Sequence, residues 1–521
     1  MIEPTIYLGP PGTGKTTALL NVVEREMEHG VPPDRIGYMT FTRRGVEEAI
    51  LRASDRFSLP RSRFRYFNTL HSAAFRQLDI KTDNVFTGKR IQEFALEYGY
   101  ELHGGLSSED GTYTHLYGDD LVLFFENFAR ITRASLNEIL KANDFIVPDY
   151  ERCCRVIKDF RHFKEKNRLL DFTDMIEQFI DEDEAPLLEV LIVDEAQDLS
   201  ELQWAMVELL SRHVKRIYIA GDDDQTIYAW AGASTRFISM AGNVEVLRQS
   251  HRVPIKVHAL ANRVIKAISN RRDKTWLPRQ AVGKLSWIEN VALLSAPELA
   301  MYQTDYDKTV MMLGRTVKLI KHKFIPFCRA HGLLYQYFDA NSIKPNVARA
   351  ITAWNDLKEG KIIPANDALK IYNLLPSEGH TKKPGIAYGY KSKLARLAEI
   401  PDESVNLIEL KNDYGLNVDG TWNQVFLEIV DPRDIQYIQK VIDNGFNLTA
   451  KPKIHISTIH RVKGGQADKV ILLSETTKMS DKFATNSDEE TRVFYTGITR
   501  TREDLTIIHP DKRYHYEGLF E

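Results

Sequence analysis

A glycine-rich stretch near the start of the chain has the residue types and spacing of a phosphate-binding loop. It matches the pattern G-x-x-x-x-G-K-[ST] with the residues Gly9-Pro10-Pro11-Gly12-Thr13-Gly14-Lys15-Thr16-Thr17. The glycines let backbone N–H groups turn around phosphate oxygens, and the start of the following helix adds partial positive charge. In this pattern the lysine reaches the β- and γ-phosphates and the next hydroxyl ligates Mg²⁺. The sequence therefore predicts a nucleoside triphosphate site formed by Gly12, Thr13, Gly14, Lys15, Thr16 and Thr17, with Thr16 as a metal ligand.

Two acidic clusters each follow an apolar strand pattern further along the chain. Val190-Leu191-Ile192-Val193 runs into Asp194-Glu195-Ala196-Gln197-Asp198, and Arg216-Ile217-Tyr218-Ile219-Ala220 runs into Gly221-Asp222-Asp223-Asp224-Gln225. Hydrolysis of a phosphoanhydride needs one carboxylate to hold Mg²⁺ and another to polarise the attacking water. We expect Asp194 to take the first role and Glu195 the second. Gln225 is predicted to touch the γ-phosphate or that water.

The elements that must position these groups form an α/β pattern. Short apolar strands alternate with helical segments from residue 1 to about 78, and the strand pattern resumes near residue 190. The carboxyl ends of parallel strands meet at one edge of an open sheet, where such sheets bind ligands. We therefore expect the phosphate loop and both acidic clusters to share that edge. A second α/β unit is expected to begin near Val244, with strands at 309–313, 453–457, 470–473 and 505–508.

The region from about 79 to 170 lacks strand signals and is predicted to be helical. Within it, cations recur about every third position, namely Arg152, Arg155, Lys158, Arg161, Lys164, Lys166 and Arg168. On a helix this spacing puts several of them on one side. Two interpretations stay open, a solvated helix face or a stripe that contacts phosphates. A second region, between 313 and 453, is predicted to be a mostly helical insertion with a looser part around 377–390.

Composition narrows the class of protein. The 521 residues suit about three or four domains, and 43% hydrophobic with 27% charged residues are ordinary for a soluble globular chain. A net charge of −3 gives no overall basic field, so any nucleic acid must bind in a local groove. The cysteines Cys153, Cys154 and Cys328 have neither a metal-site spacing nor a disulfide framework. With no signal-peptide pattern and no apolar run near the ~20 residues of a membrane span, we expect a cytoplasmic protein that does not bind membranes.

The order of several motifs resembles that of the UvrD/Rep/PcrA-like superfamily 1A helicases. In the first half these are the phosphate loop, Thr40-Phe41-Thr42, Thr69-Leu70-His71-Ser72, Asp194-Glu195-Ala196-Gln197-Asp198 and Gly221-Asp222-Asp223-Asp224-Gln225-Thr226-Ile227-Tyr228-Ala229-Trp230-Ala231-Gly232-Ala233. In the second half they are Gln249-Ser250-His251-Arg252, Ser457-Thr458-Ile459-His460-Arg461-Val462-Lys463-Gly464-Gly465-Gln466 and Glu489-Glu490-Thr491-Arg492-Val493-Phe494-Tyr495-Thr496-Gly497-Ile498-Thr499-Arg500. The resemblance spans nearly the whole chain.

The resemblance implies an α/β fold of two RecA-like P-loop domains with parallel sheets, each interrupted by a mainly helical insertion. The first domain would comprise 1–78 and 171–243, with the insertion 79–170. The second would comprise 244–335 and 450–521, with the insertion 336–449. ATP and Mg²⁺ would bind in the cleft between the domains. Arg252 and Arg500 would act there as arginine fingers, so that hydrolysis depends on domain closure.

Single-stranded DNA would lie across both domains if the resemblance holds. The residues that match the family's DNA contacts are Phe41, Thr42, His71, Tyr228, Trp230, Thr458 and His460. Aromatic faces can stack bases regardless of sequence. For Tyr228 and Trp230, ordinary core packing is the alternative.

Several departures from the family pattern concern recognition of the base. His251 stands where relatives have a tyrosine that stacks on adenine, Gln466 where a glutamate contacts the ribose, and Ala231 where an arginine is common. Only eight residues precede Gly9, and none is the glutamine that reads adenine in relatives. We still assign His251 and Gln466 to nucleotide binding, and we expect GTP and CTP to support hydrolysis at rates near that of ATP.

These features predict an ATP-dependent 3′→5′ DNA helicase and single-stranded DNA translocase that acts on single-stranded and tailed duplex DNA. The alternative is a translocase that strips proteins or regulates recombination and repair with little unwinding, since the second insertion is shorter than is usual in the family. RNA stays open as a substrate because discrimination depends on 2′-OH contacts.

A nuclease fusion is disfavoured because no segment has room for a nuclease domain. A non-catalytic DNA-binding module is disfavoured because the catalytic residues are all present. We expect a monomer, with self-association on DNA and contacts to repair or replication proteins as further options.

Overall fold

The first of two large sheets is parallel throughout. The computed structural model describes residues 2–103, 118–142, 149–305, 307–376, 385–426, 430–476, 487–510 and 514–520. Within them, the first sheet consists of β1 (Thr5–Leu8), β2 (Ile36–Met39), β3 (Phe67–Asn68), β4 (Val190–Val193), β5 (Arg216–Gly221) and β6 (Asn243–Val246). The strands lie in the order β3-β2-β4-β5-β1-β6. Leu191 and Val193 pack on one face and Val190 and Ile192 on the other, so the apolar run of β4 reflects burial on both faces.

Helices cover both faces of this sheet and fill the insertion between β3 and β4. They are α1 (Lys15–Glu28), α2 (Arg43–Phe57), α3 (Leu70–Gln77), α4 (Gly88–Tyr98), α5 (Asp119–Thr132), α6 (Leu136–Ala142), α7 (Tyr150–Asn167), α8 (Phe172–Glu182), α9 (Glu201–Ser211) and α10 (Arg236–Ser239). The insertion, α4 to α7, is mainly helical as predicted, and it has an apolar core of its own around Phe94, Phe160 and Phe163. The N-cap of α2 is Thr42, whose hydroxyl accepts a hydrogen bond from Gly45 N at 3.1 Å.

The cationic stripe of α7 is largely paired with carboxylates. Arg152 donates to Asp119 and Arg161 donates to Glu126. The other two pairs join Lys164 to Asp171 and Asp174, and Lys166 to Glu97. A side chain that already has an anionic partner has less charge to offer a phosphate. The geometry therefore favours a solvated face with ion pairs over a stripe that contacts phosphates.

The second large sheet contains the strands predicted after residue 300. The strands of the second half are β7 (Gln249–Pro254), β8 (Leu277–Arg279), β9 (Lys284–Ile288), β10 (Val310–Gly314), β11 (Tyr335–Tyr337), β12 (Ala340–Asn341), β13 (Ile363–Pro364), β14 (Ser404–Val405), β15 (Ile454–Thr458), β16 (Ala467–Leu473) and β17 (Thr501–Ile508). The sheet order is β12-β11-β15-β10-β16-β17-β9, with β7 and β8 forming a separate parallel pair. Its neighbours are parallel except β11 and β12.

The helices of the second half include those of a second insertion. They are α11 (Ile255–Ile265), α12 (Ala296–Thr304), α13 (Val317–Ala330), α14 (Pro345–Lys358), α15 (Ala365–Asn373), α16 (Tyr390–Ala398), α17 (Leu407–Asn412), α18 (Trp422–Val425), α19 (Pro432–Asp443) and α20 (Ser487–Ile498). One apolar cluster joins Val310 and Met312 of the sheet to Trp354 and Tyr372 of the insertion. The second insertion thus shares its core with the sheet, unlike the first. Of the part predicted to be looser, 377–384 lies outside the described residues.

Two edge strands lie next to the predicted domain boundaries, which stay predictions. Strand β6 pairs with β1, with Leu8 opposite Val246, so the first sheet extends a few residues past the predicted boundary at 243. Strands β11 and β12 belong to the second sheet, so that sheet extends to Asn341, past the predicted start of the insertion at 336. β6 and β12 are short edge strands, and most residues of β6 are exposed. They therefore carry too little apolar pattern to be recognised from sequence.

None of the described helices is both long enough and apolar enough to span a membrane. Cys153, Cys154 and Cys328 are all free thiols.

We call the parts of the chain built on the first and second large sheets the first unit and the second unit. A buried cluster of charges joins these two units. Asp222, Asp223 and Asp224 follow β5, and each is fully buried. Lys274, also fully buried, contacts all three, with its Nζ 3.1 Å from Asp222 Oδ1 and 3.0 Å from Asp224 Oδ2. Burial lowers the pKa of Lys274, but the three aspartates outweigh it and raise that pKa. Arg271 completes the cluster with two hydrogen bonds to Asp224, of 2.8 and 2.6 Å.

We expect Lys274→Met to destabilise the protein by roughly 3–5 kcal/mol, because it leaves three buried carboxylates without their main counter-charge. Lys215→Met is the matched control, since Lys215 pairs with Glu189 at the surface and is 68% exposed. The control should cost no more than about 1 kcal/mol. The measurement is the unfolding free energy in urea, and equal losses for both variants would contradict the prediction.

Candidate active site

The phosphate loop joins β1 to α1 and has the shape of a cradle. Gly12 and Gly14 have φ of 74° and 81°, a left-handed region that glycine adopts readily. Gly14 caps α1 without a side-chain hydrogen bond, which leaves the backbone N–H groups of the first turn for an anion. A Cβ placed on Gly9 would lie 1.9 Å from Lys15 Cγ. Glycine is thus required where the loop passes the lysine, and the loop fits a phosphate group.

Lys15 and Glu195 face each other in this cradle. Lys15 Nζ donates to Gly9 O at 3.2 Å and lies 3.6 Å from Glu195 Oε1. Glu195 Oε2 accepts a hydrogen bond of 2.6 Å from Gln197. Burial alone would raise the pKa of Glu195, but Lys15 and then Lys463 outweigh it and bring that pKa to about 2. The carboxylate is therefore ionised at neutral pH, as polarisation of a water requires. Glu195 also has a φ of 54°, a conformation that costs roughly 1–3 kcal/mol and is concentrated at functional sites.

Asp194 is the buried neighbour of Glu195 at the end of β4. It accepts hydrogen bonds from the Tyr38 hydroxyl at 2.8 Å and from Glu195 N at 2.9 Å. Burial and then the charge of Glu195 raise the pKa of Asp194 to about 6. The raised pKa indicates that the Asp194 carboxylate has too little positive charge around it, and a divalent cation would supply that charge. The Thr16 hydroxyl and the Asp194 carboxylate are oxygen ligands of the kind that Mg²⁺ prefers.

Gln225 and Arg500 are in contact where the two units meet. Gln225 donates to Asp222 at 2.6 Å and accepts from Arg500 Nη2 at 2.5 Å. Arg500 is fully buried, and its guanidinium also donates to Thr496 O at 3.0 Å and to Gly465 O at 3.3 Å. Burial lowers the pKa of Arg500 to about 10.

The strand that carries Arg252 is hydrogen-bonded directly to the phosphate loop. The Ser250 hydroxyl donates to Pro11 O at 2.7 Å, and His251 N donates to Gly12 O at 2.8 Å. A Cβ on Gly12 would lie 2.4 Å from Arg252 Cβ. Burial and then the nearby charge of Arg500 lower the pKa of Arg252 to about 9. A guanidinium whose charge is disfavoured by burial and by a second guanidinium, beside a phosphate loop, fits an anion bound between the two.

Sequence reasoning missed two residues that connect these groups. Lys463 Nζ donates to both carboxylate oxygens of Asp198 and to Gln225 O, each at 2.6 Å. Gln197 connects Glu195 to the second acidic cluster, because its Oε1 accepts from Asp222 N at 3.0 Å. Both residues lie inside recognised motifs, which was the available signal. Their partners could not be found from spacing, since Lys463 and Asp198 are 265 positions apart.

The predicted DNA-contacting aromatics cluster where the two units meet. The Phe41 and Tyr228 rings are stacked with centroids 5.6 Å apart, and Trp230 lies 6.4 Å from Tyr228. The Tyr228 hydroxyl donates to His460 O at 3.0 Å, so this side chain also joins the two units. All three aromatic rings are only partly buried, which leaves surface for a base.

The remaining predicted DNA contacts are placed differently. Thr458 and His460 are fully buried, so neither side chain reaches a strand bound at the surface in this arrangement. Burial also lowers the pKa of His460 and brings that of His71 to about 4, so both rings are neutral at pH 7. His71 packs edge-on against Phe172 with centroids 5.8 Å apart. Thr42 is exposed, but its hydroxyl already caps α2.

The two residues assigned to the base and sugar of the nucleotide are exposed. His251 is fixed through its backbone N, as described above. Gln466 accepts a hydrogen bond of 2.9 Å from Arg252 Nε. The expected acceptance of GTP and CTP stays a prediction.

Two protein families match this chain. The family described as UvrD/REP helicase N-terminal domain matches residues 3–243, and the UvrD-like helicase C-terminal domain matches residues 128–512. A Bacillus subtilis protein named "Putative ATP-dependent DNA helicase YjcD" is 24% identical, over 98% of this chain and 77% of that protein. A Rickettsia conorii protein named "Probable DNA helicase II homolog" is 23% identical, over 98% of this chain and 91% of that protein.

A third relative, the "ATP-dependent DNA helicase PcrA" of Bacillus subtilis, is 26% identical over 54% of this chain and 40% of its own length. The second family match alone covers well over half of the chain, and the two together include every residue of the cleft described above. The phosphate loop, the acidic strand ends and the paired arginines therefore have one explanation: the chain belongs to the UvrD/REP helicase family.

Proposed function

We propose that the chain is an ATP-dependent DNA helicase that hydrolyses ATP between its two units and moves 3′→5′ along single-stranded DNA, separating tailed duplexes. The observation that supports it best is the convergence of Arg252 and Arg500, from the second unit, on Lys15 and Glu195 of the first. Cations supplied from one unit to a phosphate loop on the other make hydrolysis depend on closure of the cleft.

Each side chain of the cleft has a role in this proposal. The phosphate loop and Lys15 bind the triphosphate, and Thr16 with Asp194 would hold Mg²⁺, which neutralises phosphate charge when it is bound. The ionised Glu195 polarises the attacking water. Arg252 and Arg500 stabilise the charge that develops on the transferred phosphoryl group. Gln225 bonds to Arg500 and so connects the site to the segment that carries Tyr228 and Trp230.

That segment supports coupling between ATP and DNA. Residues 222–230 follow a strand of the first sheet, yet Ile227 is buried in the core of the second unit. Movement of the second unit therefore displaces the aromatic rings of Tyr228 and Trp230 relative to Phe41 on the first. A change in how these rings stack on bases would alter the grip on DNA at each cycle. Single-stranded and tailed duplex DNA are the proposed substrates, with the chain acting as a monomer.

The direction of movement is tested with duplexes that carry a single-stranded tail on one end only. We expect ATP-dependent strand separation with a 3′ tail and at most weak separation with a 5′ tail, measured by release of a fluorescent strand. Lys15→Ala is the inactive control, since it removes the cation of the phosphate loop. Unwinding of the 5′-tailed substrate alone would refute the direction.

We expect Glu195→Gln to lower DNA-stimulated ATP hydrolysis by about 10²–10⁴-fold, because the amide cannot accept a proton from water. ATP binding should persist, since Lys15 and the loop are unchanged. Glu189→Gln is the matched control, as Glu189 pairs with Lys215 at the surface, outside the cleft. Steady-state hydrolysis and ATP-analogue binding measure the two effects, and hydrolysis within threefold of the wild type would remove Glu195 from its role.

Gly12→Ala tests contact between the phosphate loop and the strand of Arg252. The added Cβ would lie 2.4 Å from Arg252 Cβ, so the two units could not approach as closely. Displacement of Arg252 by about 1 Å from the phosphate loop is enough to lower turnover about 10²-fold. Gly30→Ala is the matched control, because Gly30 also has a positive φ, of 88°, but a Cβ there meets no atom within 4 Å. An equal loss of hydrolysis in both variants would assign the effect to backbone strain instead of cleft contact.

A further inference from the structure

The two arginines of the cleft are held in different ways. Arg500 is fully buried and donates hydrogen bonds to four partners, Thr496 O, Gly465 O, Gln225 Oε1 and Thr499 Oγ1. Arg252 is only partly buried. Within the described part of the chain, its guanidinium makes one hydrogen bond, from Nε to Gln466 Oε1 at 2.9 Å. The direction of the Arg252 side chain therefore depends on one residue.

Gln466 lies in a short turn that contacts both arginines. The turn runs from Lys463 through Gly464, with φ of 85°, to the start of β16 at Ala467. Ala467 N donates to Arg500 O at 3.0 Å, and Gly465 O accepts from the Arg500 side chain. At its other end Lys463 fastens the turn to the first unit through Asp198. The turn is thus fixed on both sides of Gln466, which gives the amide a defined position.

Gln466 is uncharged, and this affects how Arg252 can bind a phosphate. A carboxylate at the same place would form a bidentate ion pair with the guanidinium and would compete with a phosphate for it. An amide oxygen accepts the Nε–H but leaves the positive charge and the terminal N–H groups for another anion. The lowered pKa of Arg252 agrees with this, since burial and Arg500 act on it without a neutralising carboxylate in contact.

We propose that Gln466 is a positioning residue, which orients the Arg252 guanidinium toward the γ-phosphate and, being neutral, leaves its charge for the phosphate. This assignment differs from a role in contacting the nucleotide sugar. It rests on the proposed function, since Arg252 acts only if ATP is hydrolysed in the cleft.

Gln466 could orient Arg252 or contact the nucleotide sugar, and steady-state kinetics of DNA-stimulated hydrolysis distinguish these two roles. With Gln466→Ala we expect kcat to fall about tenfold while the KM for ATP stays within about twofold. With Gln466→Glu we expect a larger fall in kcat, because the new carboxylate pairs with Arg252. The ratio of activities with ATP and dATP should not change in either variant. Gln436→Ala, at an exposed glutamine of α19, is the control and should behave as the wild type.

A double-mutant cycle tests whether Gln466 acts through Arg252. Arg252→Ala should lower single-turnover hydrolysis by about 10³-fold, and adding Gln466→Ala should lower it no further. Additive losses would overturn the proposal, as would unchanged kcat in both Gln466 variants. A raised KM with an altered ATP to dATP ratio would assign the residue to the sugar and also overturn it. A wild-type chain without DNA-stimulated hydrolysis would instead refute the proposed function itself, and this inference with it.

Discussion

The arrangement of the two units depends on which cations of the second unit are neutralised by carboxylates and which are not. Lys274 contacts three aspartates and Lys463 contacts Asp198, so both cations have carboxylate partners where the two units meet. Among the residues that the structure describes, Arg252 and Arg500 donate to neutral oxygens, those of amides, main-chain carbonyls and a hydroxyl. A cation with a neutral partner keeps its charge for an incoming anion. The same kind of interaction thus joins the two units in one place and, in the proposed mechanism, leaves cations for catalysis in the other. The difference lies in the charge of the acceptor.

This distinction also locates the mechanical boundary between the units. The chain passes from the first sheet to the second after Val246, but the buried charge cluster places residues 222–224 against Lys274 and Arg271. Breaking that cluster would leave charges buried without partners, which is far costlier than separating surface ion pairs. The segment after β5 therefore moves with the second unit. This segment carries Gln225, which contacts Arg500. The nucleotide site is therefore connected to the second unit through residues that directly follow a strand of the first sheet.

The sequence predicts most of this fold, and the failures have physical causes. Long apolar strands such as β4 and β16 are recognisable because burial on both faces demands continuous apolar residues. Edge strands such as β6 are short and exposed, so the extension of the first sheet to Val246 could not be recognised from the sequence. The phosphate loop, Glu195 and Arg500 could be assigned because each lies in a motif with fixed spacing. The partners of Lys274, Lys463 and Gln466 could not, because ion pairs and hydrogen bonds between distant segments leave no periodic trace. The burial of Thr458 and His460 could not be predicted either, because it depends on how the two units pack.

The two insertions differ in how they can take part in movement. The first has its own apolar core and meets the first unit through charged groups, chiefly Arg130 with Asp171 and Asp174. The second shares one continuous core with its sheet, in which Trp354 and Met312 belong to the same cluster. Separating that core would expose apolar surface at a cost of about 25 cal/mol per Å². The second insertion therefore moves as one body with the unit that supplies both arginines. In the proposed mechanism, we expect any force that it exerts on a duplex to arise from closing of the nucleotide cleft.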